Sequence, residues 1–176
     1  MKVNIKKLHN GAVIPTRGSD EAAGYDLYAY IPRQNETICP GETKVIGTGI
    51  ALEIPKGYVG LVYARSGLAT KRALRPANCV GVIDSDYRGE IGIALHNDGK
   101  EAQTIQIHDR VAQIVVAPYL SVEFNEVNEL NDTNRGDGGF GSTGVNKEPK
   151  YEQPSLFDKA RYDIPEGVVN GLRYSE

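Results

Sequence analysis

The chain has 176 residues, with 20 basic side chains against 23 acidic ones, for a formal net charge of −3. That length suits one domain with a real core and an appendage, and the mild acidity excludes a grip on nucleic acid through bulk charge, which needs a basic face. Cys39 and Cys79, the two cysteines, make no disulfide framework and have no neighbouring Cys or His to complete a zinc site. The amino terminus has no signal-like apolar run and no uncharged apolar stretch approaches transmembrane length, so a cytoplasmic protein without a membrane role is expected.

Most of residues 1–126 reads as short β segments cut by turn residues. In chain order, Val3-Asn-Ile5-Lys alternates, and Tyr25 to Ile31 is rich in aromatics and stops at Pro32. Lys44-Val-Ile46, Ile50 to Ile54 and Tyr58 to Tyr63 follow, then Ile91 to Leu95, Thr104 to Ile107 and Val111 to Ala117. Pro-Gly, Pro-Lys-Gly and Asn-Asp-Gly clusters separate them. Only Ser66 to Leu74 reads as a helix. Many short strands at close spacing, without the helical alternation of a βαβ fold, predict an all-β barrel or sandwich. Residues 127–134 are polar and linker-like, and residues 135–144 hold five glycines in ten. Residues 145–176 form a mixed-charge extension with three prolines that is expected to be flexible.

Several segments carry chemistry. In Arg135-Gly-Asp-Gly-Gly-Phe-Gly-Ser-Thr-Gly144, glycines bring backbone N–H groups close to an anion, Ser142 and Thr143 add hydroxyls, Arg135 adds a forked cation, and Phe140 offers a flat face to a base. A plain glycine-rich linker has the same composition. Asn78 to Glu90 reads as a hairpin holding two close carboxylates, Asp84 and Asp86, on one side of an extended strand. Each is ionised at neutral pH and able to take a proton from water, and each is equally at home in a solvated turn. Ala64-Arg-Ser-Gly-Leu-Ala69 sets Arg65, Ser66 and the Gly67 N–H at a helix start, either as an anion site or with Ser66 as a simple cap. Asp109-Arg-Val-Ala-Gln113 opens a strand with an adjacent ion pair and an amide.

Five segments, Ala23-Gly-Tyr-Asp-Leu27, Ala64 to Ala69, Gly81 to Gly89, Asp109 to Gln113 and Arg135 to Gly144, occur together and in this order. In that combination the chain resembles the trimeric deoxyuridine triphosphatase (dUTPase) family over roughly residues 1–144. The resemblance implies a jelly-roll-like β domain with one short helix, a carboxy-terminal arm that crosses to a neighbouring subunit, and a homotrimer with active sites between subunits. It implies hydrolysis of dUTP to dUMP and pyrophosphate with Mg²⁺ on the triphosphate. By that correspondence Asp84 activates the attacking water. Arg65, Ser66, Gly67 and Gln113 grip the phosphates, and Asp26 reaches the metal through water. Asn78, Gly81, Val82 and Ile83 read the uracil edge, and Tyr87 lies under the deoxyribose. Arg135, Phe140, Gly141, Ser142 and Thr143 close over the substrate. Position 64 is Ala where the family often has Pro, and position 137 is Asp. A dCTP deaminase of the same fold lacks the glycine-rich fifth segment; a pure binding module is the alternative from another class. In the extension, Gln153-Pro-Ser-Leu-Phe157 resembles the pentapeptide by which bacterial replication proteins bind the sliding clamp.

Overall fold

Alternation of buried and exposed positions dictates the architecture. In the strand Gly92–Asn97, every second residue (Ile93, Leu95, Asn97) is buried and the residues between them are not, the period-2 pattern of a sheet with one face on a core. The computed structural model describes residues 1–139. They fall in two units, 1–124 and the beginning of a second at Asn125. The first is an all-β, jelly-roll-like domain of twelve strands and one short helix among the described residues. The strands are β1 (Asn4–Lys7), β2 (Thr16–Arg17), β3 (Tyr25–Tyr28), β4 (Asn35–Ile38), β5 (Thr43–Gly47) and β6 (Ile50–Glu53). After β7 (Tyr58–Tyr63) comes the helix α1 (Ser66–Arg72). β8 (Leu74–Pro76), β9 (Gly81–Ile83), β10 (Gly92–Asn97), β11 (Gln103–Gln106) and β12 (Arg110–Pro118) complete it.

A five-stranded sheet runs in the order β2-β3-β12-β7-β9, a three-stranded sheet in the order β5-β10-β8, and β1-β6 and β11-β4 form two-stranded ladders. All of the pairings are antiparallel. The four groups share one core of Leu27, Ile38, Ile46, Ile50, Val62, Leu74, Ile93, Leu95, Ile105, Val111 and Ile114. Gly60 belongs to the crowded centre of the large sheet, where an added Cβ would lie 2.8 Å from Ile54 Cδ1 and 3.0 Å from Ile114 Cδ1. The fully buried Asn97 is paid for by three hydrogen bonds: its amide donates to the Ile38 and Glu101 carbonyls, and its oxygen accepts from Gly99 N–H.

The structure departs from the sequence expectation in three places. Residues 16–17, 35–38 and 74–76 are strands that too short or too polar a pattern concealed. The helix stops at Arg72, because Ala73 turns left-handed at φ 51° and its N–H caps the Leu68 carbonyl; Leu74 therefore begins β8. The segment 78–90 is not a laddered hairpin: β9 pairs with β7, while β8 and β10 pair with each other in the other sheet.

Candidate active site

Strand register builds one half of the site. Thr16, Asp26, Gln113 and Tyr63 lie in a single row across β2, β3, β12 and β7. β12 is bulged between Arg110 and Ala112, so Arg110 opposes Tyr28 while Gln113 opposes Asp26. Three residues of regular strand would send Arg110 and Gln113 to opposite faces; the extra residue returns both to the face of Asp26. Asp26, only 8% exposed, then accepts from Arg65 Nε at 2.7 Å on one oxygen and from Arg110 Nη1 at 3.3 Å on the other. Arg65 also lies 3.5 Å from the Arg110 carbonyl through Nη1. Two guanidinium groups are thus fixed on one carboxylate, with donors left over for an anion.

Gln113 donates through Nε2 to the Ala64 carbonyl at 2.9 Å, which fixes the chain just before Arg65. Its Oε1 passes over Gly24 so closely that a Cβ there would lie 2.5 Å away. Arg65 itself is the N-cap residue of α1 and no side chain caps the helix. Ser66 is therefore the first helical residue, exposed beside an open Gly67. Asp26, Arg65, Ser66, Gly67, Arg110 and Gln113, with Gly18, Ala22 and Gly24, line a cleft of about 310 Å³. Its charged groups, two arginines around one carboxylate, suit a polyanion.

The sequence pattern missed Arg110 as a site residue. It pairs Asp109 with Arg110, whereas in the structure Arg110 bonds to Asp26 and Asp109 lies 3.9 Å from Arg72. The one available signal was the polar Arg110 three residues before Gln113, and that spacing points away from the site unless the bulge is known.

The other half of the candidate set lies elsewhere on the domain. Gly81 pairs with Val62 and Ile83 with Gly60. Asp84 continues beyond β9 as an exposed carboxylate. The chain then turns, with the Tyr87 N–H donating to the Asp84 carbonyl at 3.2 Å, so Asp84 and Asp86 do not share one face of an extended strand. Tyr87 donates its hydroxyl to the Glu90 carbonyl at 3.0 Å, and its ring occupies the space that a side chain at Gly89 would need. Asn78 folds back so that its Nδ2 would be 3.3 Å from a Cβ on Gly81. Val82, Asp84, Ser85 and Asp86 line a second cleft of about 1150 Å³ with Lys56, Tyr58 and Arg88. The two clefts have no lining residue in common. Antiparallel register sets Asp84 beside the start of β7, whereas Arg65 follows its end, a separation on the order of 15–20 Å of extended chain.

In the second unit, Arg135 donates from Nε to the Gly138 carbonyl at 2.8 Å, and Gly136, at φ 54°, donates its N–H to Thr133. Phe140, Gly141, Ser142, Thr143 and the Gln153–Phe157 pentapeptide lie outside the described residues.

Among the described residues no cluster of three or more Asp, Glu, His or Cys side chains could hold a metal, and both oxygens of Asp26 are already engaged by arginines. A cation in this cleft would have to take most of its oxygen ligands from a bound polyanion and from water.

Comparison with known proteins gives a consistent picture. The dUTPase family model matches residues 10–144. A deoxyuridine 5'-triphosphate nucleotidohydrolase from Nautilia profundicola is 51% identical over 144 residues, covering 82% of this chain and 99% of the relative. Among solved structures, a variant of the Staphylococcus bacteriophage 80alpha dUTPase with dUpNHpp superposes with a TM-score of 0.74 at 30% identity, covering 82% of this chain and 99% of that one. A variant dUTPase from phage phi11 of S. aureus, described as revealing the coordination of a structural Mg(II) ion, superposes with a TM-score of 0.66 at 28% identity over 73% of this chain and 98% of that one.

Proposed function

This chain belongs to the dUTPase family, and from that premise we propose how its residues hydrolyse dUTP to dUMP and pyrophosphate, a reaction that keeps uracil out of DNA and supplies dUMP for thymidylate synthesis. The observation that carries the reading is the arginine pair on Asp26 with Gln113, Ser66 and Gly67 around one cleft. Arg65 and Arg110 take the phosphate oxygens with the donors that Asp26 leaves free, and the Ser66 hydroxyl and Gly67 N–H complete the grip. Because Asp26 fixes both guanidiniums beforehand, they meet the charge that develops on the phosphates without reorganising. Magnesium bound to the triphosphate supplies charge neutralisation at its oxygens. The Asp84 carboxylate takes a proton from water as the water oxygen attacks the α-phosphorus; the bond to the bridging oxygen breaks and pyrophosphate leaves.

Asn78 and the Gly81–Ile83 backbone read the uracil edge, and a cytosine would leave those groups unpaired. Tyr87, held by its bond to the Glu90 carbonyl, sets the floor for the deoxyribose. Phe140 stacks on the base, and Arg135, Gly141, Ser142 and Thr143 close on the phosphate end. The distance along β7 between Asp84 and Arg65 supports a site assembled from different copies of the chain; the homotrimer and the cytoplasmic setting rest on the family resemblance.

The test is pyrophosphate release with Mg²⁺ from dUTP, dTTP, dCTP and UTP. The wild type turns over dUTP alone. Asp84→Asn lowers kcat by about 10²–10⁴-fold, the usual contribution of a general base, while still binding dUTP. Hydrolysis of all four nucleotides, or a fully active Asp84→Asn, sinks the assignment.

A second role belongs to the extension. The Nautilia relative is matched over 99% of its own length by 82% of this chain, so about a fifth of this chain has no counterpart in that relative. In the extension, Gln153-Pro-Ser-Leu-Phe157 presents an amide and an apolar pair to a bacterial sliding clamp. Residues 145–176 fused to an inert carrier bind the clamp, and Leu156→Ala with Phe157→Ala abolishes it; no binding by the fusion disproves the role.

A further inference from the structure

Recognition of the base, as read above, depends on a segment with little backbone support. Ala77 N–H donates to the Ala94 carbonyl at 2.7 Å, and Gly81 enters the β7 ladder. Between them, the N–H groups of Asn78, Cys79 and Val80 make no backbone hydrogen bond within the described residues, and all of 77–80 is exposed. Such a stretch opens locally at low cost unless side chains hold it.

The side chain that reaches it is Arg75. Its guanidinium is forked on Asp98, with Nε to Oδ2 at 2.6 Å and Nη2 to Oδ1 at 3.1 Å. The remaining Nη1 turns to the loop, 3.4 Å from the Pro76 carbonyl and 3.8 Å from Cys79 Sγ. The Cys79 thiol in turn donates to the Pro76 carbonyl at 2.5 Å. Asp98 is a firm anchor. Its N–H donates to the Ala73 carbonyl at 2.9 Å, it follows the buried Asn97, and His96 Nε2 lies 3.4 Å from its Oδ1. A forked guanidinium between a fixed carboxylate and a loop acts as a strut, because its plane permits few orientations.

We propose that Arg75, braced on Asp98, is a positioning residue for uracil recognition: it holds the Pro76–Cys79 turn so that Asn78 and the Gly81 backbone meet the base edge already arranged. This rests on the dUTPase reading of the site. Arg75 touches no phosphate-gripping residue, so its loss acts on binding of the base and not on the chemical step.

Steady-state kinetics of the full chain with dUTP and dCTP, for wild type, Arg75→Ala, Arg75→Lys and Asp98→Asn, test it. Arg75→Ala raises KM for dUTP about 5- to 10-fold with kcat unchanged, the size of effect of one ordinary hydrogen bond lost. The ratio of kcat/KM for dUTP over dCTP falls by a similar factor. Arg75→Lys, which keeps the charge without the fork, recovers only part of both, and Asp98→Asn behaves like Arg75→Ala. Unchanged KM and selectivity in Arg75→Ala, beside an active wild type, overturn the brace and leave the function standing. A drop in kcat together with melting temperature, at constant selectivity, overturns it too, since that marks a role in stability alone. A wild type that does not hydrolyse dUTP overturns the function reading, and the brace falls with it.

Discussion

Asp26 is the residue that organises the cleft of Arg65 and Arg110. It is nearly buried, and each of its oxygens is bonded to a different arginine. Removing its charge leaves two guanidiniums close together without a counter-ion, and the amide of an asparagine turns donors toward donors. Asp26→Asn therefore loses about 1–3 kcal/mol of stability, read by urea denaturation. It also lowers kcat/KM for dUTP by about 100-fold, because Arg65 no longer stands where the phosphate arrives. An Asp26→Asn protein with wild-type kinetics removes the carboxylate from the phosphate grip. Gly24 shows the same dependence on detail: the Gln113 amide lies where a Cβ would be, so the Ala23-Gly24-Tyr25 sequence is required by a side chain 89 positions later.

At the scale of elements, separate ladders are joined by side chains where backbone pairing stops. β4 pairs with β11, and β5 pairs with β10. Lys44 on β5 crosses between the groups to Glu36 on β4 at 2.5 Å and approaches Glu42 at 3.6 Å. The hydrogen bond and charge of Lys44 hold the Glu36 carboxyl below its ordinary value of 4.5, and Glu36 likewise raises Lys44 above 10.5. A lowered carboxylate stabilises the fold above its unfolded value and loses that contribution as pH falls through the folded one; a raised lysine stabilises below its unfolded value and loses it as pH rises. The pair thus contributes between about pH 4.5 and 10.5. Both groups are solvent-accessible and salt screens them. The melting-temperature difference between wild type and Glu36→Gln is expected to be small at pH 7, to fade as acid carries the carboxyl down through its lowered folded-state value, and to shrink in about 1 M salt. A difference that shrinks neither with acidification nor with salt contradicts the ionic origin.

For the whole molecule, the informative fact is that the described residues place Asp84 and Arg65 in separate clefts. The Asp84 cleft and the Arg65 cleft have no residue in common. The segment after β12 also exposes Leu120, Val122 and Phe124 at alternate positions, at 88%, 65% and 93%, a stripe of apolar surface that a monomer leaves wet. Both features are accounted for if copies associate head to tail, with Asp84 of one completing the cleft of another. Asp84→Asn and Arg65→Ala, each inactive alone, should then regain activity when unfolded and refolded together. Random mixing gives about a quarter of the wild-type rate, since a site works only when both contributing copies carry the intact residue. Zero recovery, with mixed assemblies demonstrated by mass, places the whole site in one chain.

The class of fold and the family were legible in the order of short strands, turns and motifs along the chain. Period-2 burial and turn residues are local properties, so β3, β7 and β12 were legible where they fall, as was the helix start at Ser66. The polar residues that line the cleft were legible in part, because Arg65, Asp26 and Gln113 stand in recognisable local strings. Only the tertiary structure decided who partners whom. It gave β9 to β7, ended the helix at a left-handed Ala73, and moved Arg110 from Asp109 to Asp26 through one extra residue in β12. Those choices depend on register between strands distant in sequence, and a one-residue slip in register reverses the face of every side chain; no local pattern records it.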